Sequence, residues 1–113
     1  DDFFLWSGND DEAVSTMALG AKGLISVLSN VRPKKTLAMV RACQKNEFAL
    51  AGKLQRELMD LIGALFCEVN PIPVKKALEL EGFPVGAPRL PLTKLSEANL
   101  SRLQAALAKT PDA

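Results

Sequence analysis

The chain has 113 residues, 48% of them hydrophobic, which suffices for one compact domain and is too short for two of ordinary size. Fourteen basic and 13 acidic residues leave a formal charge of +1, so no single-sign field draws the molecule to nucleic acid or to anionic lipid, and neither partner is expected. With no His and no Tyr, imidazole catalysis, His-bound metal and phenolic proton transfer are excluded from anything this chain does alone.

In chain order, Phe3-Phe4-Leu5-Trp6 is an apolar, aromatic-rich run ended by Ser7-Gly8, which predicts a buried strand entering a turn. Gly8 suits a tight turn, and Asn9 or Asp10 suits the cap of the helix that follows. That helix spans Asp10 to Leu19, with Asp10, Asp11 and Glu12 at its positive end, Ala13, Val14, Met17 and Ala18 on one face, and Gly20 as its terminating glycine. Gly23 to Leu28 is nearly continuous in apolar character and predicts a second strand covered on both faces. Strand, helix and strand make a βαβ unit, so the strands should be parallel and the turns after them should share one rim.

From Val31 onward the pattern is helical. Pro33 suits the first position of a helix running to about Lys45, whose buried face is expected at Leu37, Ala38 and Val40. Glu47 to Phe66 is the clearest amphipathic stretch, carrying Phe48, Ala51, Leu54, Leu58, Leu61, Ile62 and Leu65 at helical spacing. Asn70-Pro71-Ile72-Pro73 restarts a shorter helix with Val74, Ala77 and Leu78, ended by Gly82, and Pro84 to Pro91 predicts an extended connector. Ser96 caps the last helix between staple residues Leu95 and Leu100, and Leu103, Ala106 and Leu107 continue its apolar stripe. Residues 1–45 therefore hold the strand-containing part and residues 46–113 a helical tail. Cys43 and Cys67 read as reduced thiols, and the lack of a long apolar span or basic leader makes the cytoplasm the expected location.

Two covered parallel strands do not complete a sheet, because each unpaired edge leaves backbone donors and acceptors open. The chain is therefore expected to close a longer α/β polypeptide, as the last two βα units of a (β/α)8 barrel or the end of a doubly wound sheet. The pattern does not choose between them. Both bind ligands at the carboxyl ends of the strands, which places Ser7-Gly8-Asn9-Asp10 and Ser29-Asn30 at the functional rim. A different class stays open: a non-enzymatic helical interaction module whose strands are completed by a second copy.

Other motifs carry less. Gly20-Ala21-Lys22-Gly23 has the spacing of a nucleic-acid GxxG loop but joins a helix to a strand, where the two glycines have local explanations. Lys34-Lys35 and Lys75-Lys76 read as solvated faces. Asp10, Asp11 and Glu12 point around a helix axis and do not converge on a metal. No lysine has the buried strand-end setting of an imine-forming nucleophile.

Four stretches in order, SGND (Ser7–Asp10), ALGAKGLISVLSNV (Ala18–Val31), NPIPVKKAL (Asn70–Leu78) and RLPLTKLSE (Arg89–Glu97), resemble the dihydrodipicolinate synthase family from end to end of the chain. The resemblance implies a TIM barrel with a three-helix C-terminal extension, this chain supplying barrel strands seven and eight, the last barrel helix and the extension. It implies a lyase of lysine and diaminopimelate biosynthesis that joins pyruvate to L-aspartate 4-semialdehyde through a Schiff base, without a cofactor, as a homo-oligomer and often a homotetramer. The Schiff-base lysine, a proton-shuttling tyrosine and a threonine pair would precede Asp1, leaving no catalytic residue in this chain. Ile25 matches the isoleucine whose main chain lies against pyruvate, and Gly8 the glycine near the aldehyde. Asn9 stands where many members have aspartate, which keeps a polar contact and drops the charge. Sugar-acid lyases share the barrel and the lysine chemistry; SGND and NPIPVK favour the lysine-pathway enzyme.

Overall fold

The computed structural model describes residues 2–112. Five α-helices dominate them: α1 (Ala13–Ala18), α2 (Pro33–Gln44), α3 (Phe48–Leu65), α4 (Ile72–Leu80) and α5 (Glu97–Lys109), with 3-10 turns at Asp10–Glu12 and Leu28–Asn30. The long helix α3 is the axis on which α1, α2, α4 and α5 all pack. Its Ala51, Leu58, Leu61, Ile62 and Leu65 recur at three- and four-residue steps and are buried, as their spacing predicts. Leu58, Leu61 and Leu65 share one core with Ala13, Leu28, Val31 and Met39 on one side and Leu103, Ala106 and Leu107 on the other.

The expected strands are the main difference from the sequence reading. Neither Phe3–Trp6 nor Gly23–Leu28 forms a strand among the described residues; a single parallel bridge joins Ser7 to Leu24. Around it run three hydrogen bonds, Lys22 N–H to the Leu5 carbonyl (2.8 Å), Ser7 N–H to the Gly23 carbonyl (3.0 Å) and Ile25 N–H to the Ser7 carbonyl (2.8 Å). The expected parallel direction holds, but the pair has no neighbour to extend it. Nor is the first run buried: Phe3 is 84% and Trp6 52% exposed. Two strands offer a side chain only one flank to pack on, so the apolar run stays outside the core.

The phase of α2 also departs from expectation. Thr36, Met39, Ala42 and Cys43 are buried, whereas Leu37 is 46% exposed and Ala38 is exposed. Met39 enters the main core and Ala42 and Cys43 the smaller cluster with Met17, Ala21 and Ala51, so two clusters fix the helix face and turn Leu37 away. The buried Arg32, just before Pro33, anchors the same orientation. Its guanidinium donates to the carbonyls of Val31, Leu107 and Thr110 and pairs with Glu81, satisfying the free carbonyl end of α5.

The ends of α1 and α4 and the start of α5 follow the sequence. Gly20 and Gly82 take positive φ (109° and 92°) beyond α1 and α4, where a side chain would be strained. The Ser96 hydroxyl accepts the Asn99 N–H at the start of α5, and the Glu68 carboxylate joins it by accepting Ser96 N–H (3.0 Å) and the Asn99 amide (2.8 Å). These hydrogen bonds, the Asn99 one foremost, hold the Glu68 carboxyl below its usual range. Cys43 and Cys67 are both free thiols, and burial pushes both upward in pKa, away from thiolate reactivity. No helix among the described residues is long and apolar enough to cross a membrane.

Candidate functional site

The rim is built from two turns laid side by side by the Ser7–Leu24 bridge. Ser7 is buried and uses every polar group locally: its N–H and carbonyl hold Gly23 and Ile25, and its hydroxyl donates to the Asn9 carbonyl (3.1 Å) while accepting the Asn9 N–H (3.3 Å). This serine loop closes the turn around Gly8. Gly8 takes no positive φ, and a Cβ built there meets nothing within 4 Å, so the turn itself does not require glycine. Its lack of a side chain leaves open space at the rim instead.

The capping expectation for Asn9 and Asp10 is corrected. Asn9 sits extended (φ −119°, ψ 124°) before the 3-10 turn and makes no side-chain cap. Its amide reaches Glu12 at 3.4 Å on the surface. The Gln55 side chain of α3 takes over the capping work, accepting Val14 N–H (2.9 Å) and donating to the Asp11 carbonyl. Asp10 turns inward and is 1% exposed. Its carboxylate accepts the Ser26 hydroxyl on one oxygen and the N–H groups of Val27 and Leu28 (both 3.0 Å) on the other. Asp10 thus caps the Leu28–Asn30 turn from the neighbouring segment, and the Ser26 oxygen in turn accepts Ser29 N–H at 2.8 Å. Local capping preference at Asn9 and Asp10 hid this role, because the partners of Asp10 lie 16 to 18 residues away.

Ile25 lies next to this arrangement with its side chain 71% exposed. Its N–H is spent on Ser7, while its carbonyl accepts no hydrogen bond from the described residues. The structure therefore brings Gly8, Asn9 and Ile25 to one rim, and Ser29 and Asn30 fold back into the turn that Asp10 caps. Beside Asn9, a groove of about 290 Å³ is lined by Asp11, Met59, Ile62, Gly63 and Phe66, so α3 forms one wall near the rim. Larger grooves between α4 and α5 and beside Arg32 contain none of the residues singled out at the rim save Asn30.

Gly23, at the entry to the second turn, has a packing reason to be glycine. A Cβ there would fall 2.5 Å from the Trp6 ring, which lies directly against it. Lys22 beside it is exposed, and among the described residues no lysine is buried and no group of three or more acidic or Cys side chains is placed to hold a metal. What the rim offers chemically is open main-chain polarity, a neutral amide and exposed apolar surface, suited to orienting a small ligand.

The sequence model of the dihydrodipicolinate synthetase family matches residues 1–110. The 4-hydroxy-tetrahydrodipicolinate synthase of Exiguobacterium sibiricum is 52% identical over 103 residues, covering 91% of this chain and 35% of its own length. The crystal structure of dihydrodipicolinate synthase from Aquifex aeolicus superposes with a TM-score of 0.93 at 41% identity, over 96% of this chain and 37% of that one. The chloride-inhibited enzyme from Acinetobacter baumannii, crystallised with pyruvate, superposes at 0.89 with 39% identity, over 95% of this chain and 37% of that one. The chain thus spans about a third of the length of these relatives.

Proposed function

This chain belongs to the dihydrodipicolinate synthetase family, and on that premise we propose that it forms one wall of the active site of a longer polypeptide condensing pyruvate with L-aspartate 4-semialdehyde. In this reading residues 1–45 are the last two βα units of a (β/α)8 barrel and residues 46–113 its helical extension. Pyruvate is held as a Schiff base on a lysine outside this chain and converted to an enamine that attacks the aldehyde carbon. The Ile25 main chain lies against the bound pyruvate, and Gly8 and Asn9 orient the incoming aldehyde. Homo-oligomeric assembly of the whole polypeptide belongs to the same reading.

The observation that supports it most is the bridged pair of turns: the Ile25 N–H bond to Ser7 sets an exposed Ile25 beside the open Gly8–Asn9 turn, so that the two residue sets assigned here to the two substrates are neighbours. The exposed Phe3–Trp6 run supports it as well, since further strands on that edge would cover it.

Borohydride trapping tests the reading. The full-length polypeptide incubated with pyruvate and borohydride should gain the mass of one reduced pyruvate on a lysine outside this segment, whereas the 113-residue chain alone should gain none. An adduct on the short chain, or none on the long one, overturns it.

A further inference from the structure

We infer that Asp10 is a positioning residue for the first substrate: its carboxylate fixes the backbone after Ile25 and so aims the Ile25 carbonyl at the rim. The inference rests on the proposed placement of pyruvate against Ile25. Its physical basis is the way the Ile25–Ser26 peptide is bracketed. On the upstream side, Ile25 N–H is tied to the Ser7 carbonyl at 2.8 Å. Downstream, the Ser26 hydroxyl and the N–H groups of Val27 and Leu28 all end on the two oxygens of Asp10. Between these anchors the Ile25–Ser26 peptide keeps both of its polar groups, the Ile25 carbonyl and the Ser26 N–H, without a partner among the described residues, and of the two the carbonyl is the acceptor left to a ligand at the rim. A carboxylate excluded from solvent and accepting three donors holds those donors far more firmly than water would, because each bond is charge-assisted and its loss leaves a buried group unpaired. Asp10 is buried whereas its neighbours Asp11 and Glu12 are exposed, so its work is internal.

The Gly8–Asn9 turn is held separately, by the Ser7 hydroxyl. Loosening Asp10 should therefore disturb pyruvate and spare the aldehyde. The test uses the full-length polypeptide with Asp10→Asn and, separately, Ser26→Ala, each of which removes part of the clamp at little change in volume. In both, KM for pyruvate should rise about tenfold for the aspartate variant and about threefold for the serine variant, while KM for the aldehyde stays within twofold. A merely structural role would lower the active fraction, read as fewer lysines trapped per polypeptide at unchanged kcat per trapped lysine, without moving one KM relative to the other. If both variants keep pyruvate KM within twofold, or both KM values climb together, the positioning role is overturned. Wild-type protein is run alongside: if it traps no pyruvate with borohydride, the functional reading has failed rather than the clamp.

Discussion

The helical part from α2 to α5 and the leading stretch up to Asn30 reach the native state by opposite means. In the helical part, apolar side chains converge on α3 and the polar groups stay at the ends, as at Ser96, Glu68 and Arg32. In the leading stretch Ala13, Met17, Ala21 and Leu28 still join the apolar clusters, but Ser7 and Asp10 are turned inward beside them while Phe3, Phe4, Leu5, Trp6 and Ile25 are more than half exposed. The difference teaches that apolar content alone does not say where a segment buries itself. A helix carries its own backbone hydrogen bonds and needs only one packed face, whereas a parallel strand needs neighbours for backbone and side chains alike.

The comparison breaks first, and most visibly, at α3. Leu61→Ala removes a fully buried side chain from the shared core and should cost about 3 kcal/mol, read as a fall in the urea midpoint. A loss below about 1 kcal/mol would mean that α3 is not the axis of the core. A smaller effect belongs to the joint between the two regions. Arg32→Ala strips the donors from the carbonyls of Val31, Leu107 and Thr110 and should cost about 2 kcal/mol, mostly as fraying of the α5 end in hydrogen exchange.

The smallest effect is at Glu68, and its sign follows from its depressed carboxyl. The ionised form is favoured in the folded state, so its contribution is present above the ordinary carboxylate range and is lost as pH falls through the lower folded value. Glu68→Gln should therefore lower the melting temperature slightly at neutral pH, and the gap to wild type should close in acid. A gap that widens in acid would show the sign to be wrong.

Much of the helical part was legible because its information is local. Leu58, Leu61, Ile62 and Leu65 announce their face by spacing, and Gly20, Gly82 and Ser96 announce the ends of helices within a few residues. The α2 face was misread at Leu37 because Met39 and Cys43, rather than the largest branched side chains, meet the two clusters. The rim was legible only as a location. Asp10 was read as a local helix cap and Arg32 drew no reading, because the partners of Asp10 stand 16 to 18 residues away and Glu81, Leu107 and Thr110 stand 49 to 78 residues from Arg32, distances at which no periodic pattern operates. The phantom strands have the same origin, since strand character depends on partners that spacing within the run does not reveal.

The Trp6 ring resting on Gly23 gives the molecule a built-in optical gauge. Trp6 is the sole tryptophan and the chain has no tyrosine, so near-ultraviolet emission arises from one indole seated on the seam between the paired turns. Its colour and intensity report the leading stretch while far-ultraviolet dichroism reports the helices. A single titration followed by both signals would separate the loosening of one half from the melting of the other.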